Sequence, residues 1–189
     1  MQISEKLNVY TVGHSTHSAD DFIAMLQSFD IRALVDIRRF PGSRKYPAFN
    51  QEILALSLQK AGINYIHLEA LGGRRKMQPH SKNDRWRNSS FRGYADYMET
   101  AEFKNAVAKL EAIALEKTTA YMCAEAVWWR CHRALVSDYL KAKGWTVQHI
   151  MAAGKAEEHP YTSPARIENQ RVFYSGENQV YNLFNQKEE

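Results

Sequence analysis

The sequence predicts a single Rossmann-like three-layer α/β domain, with a mainly parallel sheet of about five strands and helices on both faces. Three observations carry this. Short β-prone runs alternate with stretches of helical period, the pattern of βαβ units and right-handed crossovers. No repeat, low-complexity tract or Gly/Ser-rich linker divides the 189 residues, a length that suits one domain. The chain is 44% hydrophobic and 24% charged, enough apolar mass for a real core.

Residues 8–12 (NVYTV) form the first β-prone run, halted by Gly13. Ser18 then offers an N-cap, and Asp20 and Asp21 suit the positive end of a helix dipole. Phe22, Met25, Leu26 and Phe29 recur at i, i+3, i+4 and i+7, the stripe of a helix lying on a sheet. Residues 33–37 (ALVDI) read as the second strand. A loop rich in Arg, Pro and Gly leads to a helix near 51–61, which Gly62 can end in a left-handed cap. Residues 63–68 give the third strand, and the basic stretch 72–92 reads as a loop over the sheet. Phe103, Val107, Leu110 and Ala114 mark a helix, residues 118–123 the fourth strand, and Leu135, Tyr139 and Leu140 the apolar face of the next helix. Gly144 closes that helix and 145–150 form a fifth strand. Residues 151–189 read as a largely irregular extension packed on the domain, pinned by Tyr161, Val172, Phe173 and Tyr174.

The formal net charge is +4 and the sequence pI about 9.0. So mild an excess permits a phosphate-bearing ligand or nucleic acid without demanding either. A mean hydropathy of −0.53 and the lack of a long uncharged apolar run exclude a membrane span. No apolar stretch of signal-peptide type opens the chain, so the expected location is the cytoplasm. There Cys123 and Cys131, the two cysteines, are expected as thiols.

In an open parallel sheet, ligands sit beyond the carboxyl ends of the strands, so the residues following each strand are the candidates. They are Gly13, His14, Ser15 and Thr16; Asp36, Arg38, Arg39, Ser43, Arg44 and Lys45; Gly72, Gly73, Arg74, Arg75 and Lys76; and Cys123, Glu125, Cys131, His132 and Arg133. Convergent glycines, hydroxyls, cations, a carboxylate and thiols define a site. The strings Val12-Gly13-His14-Ser15-Thr16, Asp36-Ile37-Arg38-Arg39-Phe40-Pro41-Gly42-Ser43, Leu71-Gly72-Gly73 and Cys123-Ala124-Glu125…Cys131-His132-Arg133 resemble the family described as domain of unknown function 488. The likeness runs from about Val9 to Tyr174 and includes His159-Pro160-Tyr161-Thr162. It implies an α/β fold in prokaryotic cytoplasmic proteins and supplies no reaction.

The chemistry is therefore read from residues. A helix beginning near Trp129 or Arg130 would place Cys131 in its first turn, where free N–H groups, Arg130 and Arg133 favour a thiolate. His132 would point about 100° away around that helix, leaving His14 or Glu125 as the base. The bland alternative makes Cys131 a packing residue and Arg133 an ion-pair partner. Glu125, near Trp128 and Trp129, suits general acid or base work if its setting is semi-apolar; otherwise it pairs with an arginine. Cys123 is favoured for packing. A phosphatase-type C-x5-R loop is disfavoured, because six residues separate Cys123 from Arg130. No motif implies a cofactor. Zinc on Cys123, Cys131, His132 and His14 is disfavoured too, for want of C-x-x-C or His-x3-His spacing.

Arg38, Arg39 and the Gly72-Gly73-Arg74-Arg75 turn suit anion binding, since arginine forks and glycine amides approach phosphate closely. Residues 85–92 mix Trp86 and Phe91 with arginines, for which a solvated basic face is favoured over base stacking. The leading expectation is an enzyme, a hydrolase or group transferase, acting on a phosphate-bearing, nucleotide-like or nucleic-acid-derived substrate. Catalysis would fall to Cys131 or Cys123 with Glu125 and His14, and binding to Ser15, Asp36, Arg38, Arg39, Ser43, Gly72, Gly73, Arg74, His132 and Arg133, without a metal. No G-x-G-x-x-G turn follows the first strand, which disfavours hydride chemistry. The rival is a non-catalytic nucleic-acid-binding module with a structural Cys-Glu-His-Arg cluster. No membrane partner is expected, and nothing in the sequence sets an oligomeric state.

Overall fold

The structure, a computed structural model, describes residues 7–176. Strands β1 (Asn8–Gly13), β2 (Ala33–Asp36), β3 (Asn64–His67), β4 (Thr119–Cys123), β5 (Thr146–Ala152) and β6 (Lys155–Glu158) form one sheet in the order β3-β2-β4-β1-β5-β6. Its first five strands are mutually parallel, and β6 runs antiparallel along β5. Helices α1 (Ala19–Gln27) and α2 (Gln51–Lys60) cover one face; α3 (Ser89–Met98), α4 (Ala101–Glu116) and α5 (Arg133–Ala142) cover the other. This is the three-layer, Rossmann-like arrangement the sequence predicts. Alternation along the strands sorts the two cores. Val12, Leu34, Ala120 and Met122 meet Phe22, Leu26, Leu54 and Leu58, while Val9, Val35, Tyr121 and Val147 meet Phe103, Leu110, Leu135 and Leu140. None of the helices among the described residues is long and apolar enough to cross a membrane.

Ser18 caps α1 as expected, its hydroxyl accepting the Asp21 N–H at 3.0 Å. Two segments differ from expectation. The stretch 72–92 is not loop throughout, because Asn88 accepts the N–H groups of Ser90 and Phe91 and so starts α3 within it. After residue 150 the chain is more regular than its polarity suggests. Gly154, at φ +67°, turns β5 into β6, and β7 (Arg166–Glu168) pairs with β8 (Arg171–Phe173) in a small hairpin. The rest of the expected extension, 177–189, lies outside the described residues.

The topology places the site. The chain leaves β1 and β2 towards α1 and α2 on one face, and leaves β3 and β4 towards the opposite face. Loops that follow the neighbouring ends of β2, β4 and β1 therefore part to opposite sides, and a crevice opens between them.

Candidate functional site

A cleft of about 390 Å³ opens at that edge. Cys123, Cys131 and His132 line it together with Tyr94, Gly73 and Ala124, and Arg39, Phe40, Arg74, Glu125 and Arg130 stand around them. Cys123 ends β4, register-paired with Gly13. A 3-10 turn, Trp128–Arg130, follows, closed by the Cys131 N–H donating to the Trp128 carbonyl at 3.1 Å. Cys131 is extended (φ −125°, ψ 149°), whereas His132 is already helical and α5 starts at Arg133. Cys131 thus lies just before the helix rather than in its first turn. The angular argument against a Cys131–His132 contact fails with it, since successive residues diverge by a helical step only inside a helix. His132 Nδ1 lies 3.6 Å from the Cys131 sulfur and 4.0 Å from that of Cys123.

Both sulfurs are buried and not disulfide-bonded. The Cys123 thiol, donating to the Cys131 sulfur in a buried setting, is held well above its ordinary value. Burial alone pushes Cys131 up too, but Cys123, His132 and Arg133 together draw it well below. On the far side of the imidazole, Nε2 meets the Ile37 carbonyl at 3.2 Å. Nε2 must carry the proton to donate there, so the Nδ1 of a neutral ring is a bare acceptor facing the sulfurs. Gly73 presses on this ring: a Cβ at that position would sit 2.9 Å from His132 Nδ1.

Other expected site residues sit behind the cleft or apart from it, except Arg38, which lines it from a buried pair with Asp36. His14 is buried, stacked on Phe49 at 4.2 Å, with Nδ1 on the Ser15 carbonyl at 3.0 Å and Nε2 3.5 Å from Arg38 Nη1. Burial, then Arg38, lower its pKa to about 4. With both ring nitrogens engaged away from the sulfurs, His14 gives way to His132 as their neighbouring base. Asp36 and Arg38 form a buried pair, with Arg38 Nη2 on Asp36 Oδ2 at 2.6 Å and Nε on Oδ1 at 2.9 Å. The same guanidinium donates to the Phe49 carbonyl at 2.8 Å, and the Tyr65 hydroxyl to Asp36 at 2.7 Å. Arg133 is buried as well, donating to Thr11 Oγ1 at 3.0 Å and to the Glu125 carbonyl at 2.6 Å. Asp36 and Arg133 therefore brace the loops from inside. Ser43 orders its own turn, its N–H donating to Asn50 and its hydroxyl accepting from Tyr46. Ser15 takes a left-handed φ of 48° and donates its N–H to the Ala124 carbonyl. Gly72 is buried beneath Arg39.

Glu125 is exposed at the rim, not in a semi-apolar niche, and it is its main-chain carbonyl that an arginine holds. Arg39 donates to the Arg74 carbonyl at 3.0 Å, and both guanidinium groups flank the exposed ring of Phe40 at 5.6 and 5.9 Å. Sequence reasoning did not single out Tyr94, whose ring lies 5.0 Å from that of His132; as an apolar-stripe residue of a helix hidden in a basic stretch, it gave no signal. These placements set the two arginines apart. Arg38→Ala should destabilise the protein by roughly 3 kcal/mol or more, because it leaves a buried carboxylate without its cation. Arg39→Ala should stay within about 0.5 kcal/mol and instead weaken binding of inorganic phosphate. Denaturant melts paired with phosphate titrations check both.

A parallel α/β sheet with a thiol–imidazole cleft at its carboxyl edge is the class of protein that fold and site define. Residues 18–140, about two thirds of the chain, match the family model "Domain of unknown function DUF488", and the chain belongs to that family. The span holds β2, β3, β4 and the whole thiol cluster, while the strings at 12–16 and 159–162 both fall outside it. Neither a curated protein nor a solved structure matches the chain.

Proposed function

We propose that this protein is an enzyme, a hydrolase or group transferase, acting on a phosphate-bearing substrate of nucleotide type with Cys131 as nucleophile. The observation that carries the reading is His132 Nδ1 facing two buried thiols at the bottom of an arginine-rimmed cleft. The Cys131 sulfur forms the new bond to the electrophilic centre as the bond to the leaving group breaks. His132 takes the thiol proton at Nδ1 and returns it to the leaving group, its orientation fixed by the Ile37 carbonyl. Water then releases the covalent intermediate in hydrolysis, or an acceptor does so in transfer. Arg39, Arg74 and Arg130 attract the anion. Cys123 supports Cys131 by donating its thiol hydrogen to that sulfur.

Limiting iodoacetamide at neutral pH, read by mass spectrometry, tests the nucleophile in metal-free protein. Cys131 should be alkylated before Cys123, and inorganic phosphate should slow the reaction. Preferential labelling of Cys123, or of neither, removes Cys131 from the role. A second reading, a nucleic-acid-binding module, draws on the exposed rings of Phe40 and Trp129, 62% and 51% accessible, beside cleft arginines. A salt-dependent gel shift unaffected by Cys131→Ser would favour it.

A further inference from the structure

We infer that Cys123, Cys131 and His132 form a site for a divalent transition metal of the zinc type, with three protein ligands and a fourth position open to the cleft. The two Sγ atoms and Nδ1 all lie within 4.8 Å of one another, and theirs is the one such donor group among the described residues. In a tetrahedral zinc site, with Zn–S about 2.3 Å and Zn–N about 2.0–2.1 Å, sulfur and nitrogen ligands stand about 3.6 Å apart. The separations here are 3.6 and 4.0 Å, so each sulfur–nitrogen pair closes on an ion with movements of only a few tenths of an ångström.

The surroundings suit a metal ligand set. Metal-bound histidines commonly donate their other ring N–H to a carbonyl or carboxylate, which fixes tautomer and ring angle; His132 has Ile37 in that place. Glycine at 73 leaves free the space that a Cβ 2.9 Å from Nδ1 would fill. Thiolate and imidazole donors select zinc, cobalt or copper over magnesium and calcium. All three donors line the cleft, so a water or a substrate oxygen can complete the shell, the arrangement of catalytic rather than structural zinc. C-x-x-C spacing is unnecessary because β4 delivers one thiol and the two residues leading into α5 deliver the other two donors. This inference does not depend on the nucleophile reading. With an ion bound, Cys131 is a ligand, and nucleophilic attack belongs to the metal-free form.

Full-length protein, reduced and stripped with chelator, is titrated anaerobically with Co²⁺. The expected result is one equivalent bound, with thiolate-to-cobalt charge-transfer and tetrahedral d–d absorption, both abolished by Zn²⁺. Cys123→Ser, Cys131→Ser and His132→Ala should each weaken uptake by roughly 100-fold or more, on the scale that even outer-shell changes approach. The exposed His80→Ala should bind as the parent does. Absence of the bands in the parent, or bands that persist in both cysteine variants, overturns the site. Should a variant fail to fold, Zn²⁺ protection of Cys131 from iodoacetamide in the parent decides, and unchanged labelling overturns the site. The two readings fail separately: inert Cys131 in metal-free protein sinks the nucleophile and leaves cobalt uptake untouched.

Discussion

Gly13→Ala is expected to lower stability by roughly 3 kcal/mol, at the upper end of what overpacking a folded interior costs, and to displace the loop that carries Glu125. A Cβ on Gly13 would lie 1.8 Å from the Glu125 carbonyl oxygen, 2.8 Å from its carbon and 2.9 Å from Arg133 Nη2. A flexible side chain could swing aside from such a contact, but this one is with backbone. That backbone is held on both flanks: Arg133 donates to the Glu125 carbonyl, while His14 and Ser15 donate their N–H groups to the Cys123 and Ala124 carbonyls. Alanine can enter only if those bonds break together. Urea melts should show the loss, and alkylation of Cys131 should change as its loop moves. Gly42→Ala is the control. Nothing lies within 4 Å of a Cβ there, so its stability should remain within about 0.5 kcal/mol. A Gly13→Ala protein as stable as the control would mean that the β1 and β4 ends slide freely and do not fix the cleft.

The sheet was legible because its signals are local. Period-2 runs with Gly13, Gly62 and Gly144 as stops locate strands and helix ends from neighbours in sequence. The parallel arrangement follows, and with it the gathering of strand ends on one edge. The segment from 151 onward gave no such signal, since β6, β7 and β8 are too short and too exposed for alternation to show. At the site, residue types were legible and roles were not. Nothing in an Asp-x-Arg string says that Asp36 and Arg38 will close on each other inside the protein rather than face a ligand. The choice between His14 and His132 turned on a helix that starts three or four residues later than the sequence suggests, and helix boundaries are the least determinate feature of a sequence reading. Glu125 shows the same limit: burial depends on the path of the 3-10 turn after it, which tertiary contacts from Arg133 set.

Asp138→Ala should cost about 3–5 kcal/mol, the scale of breaking a buried pair by removing one partner. Asp138 is fully buried on α5, an expensive place for a carboxylate unless its acceptors are filled. They are filled from the C-terminal segment, in which the sequence offered the His159–Thr162 string and Tyr174 among the pinning residues. Oδ1 meets His159 Nε2 at 2.9 Å and the Thr162 N–H at 2.9 Å; Oδ2 meets the Thr162 hydroxyl at 2.6 Å and the Tyr174 hydroxyl at 2.8 Å. The chain of contacts runs on, with His159 Nδ1 at 2.9 Å from His149 Nε2 and Trp128 stacked on His149 at 4.5 Å. Burial first, then His159 and Arg133, hold His149 down to about 2, so this link stays neutral wherever the protein is folded near neutral pH. One carboxylate therefore ties residues 159–174 to α5 and, through His149, to the turn that precedes Cys131. Alanine leaves four donors without an acceptor, each an uncompensated desolvation of about 1–3 kcal/mol before relaxation. Asparagine keeps the shape and one carbonyl acceptor, and the Thr162 and Tyr174 hydroxyls can rotate to accept from its amide, so Asp138→Asn should lose clearly less than Asp138→Ala. Urea melts rank the two variants. Limited proteolysis should cut Asp138→Ala within 159–174 before any other segment. If alanine costs under about 1 kcal/mol, or if cleavage falls elsewhere first, the C-terminal segment is held by its apolar contacts and the buried carboxylate is not its anchor.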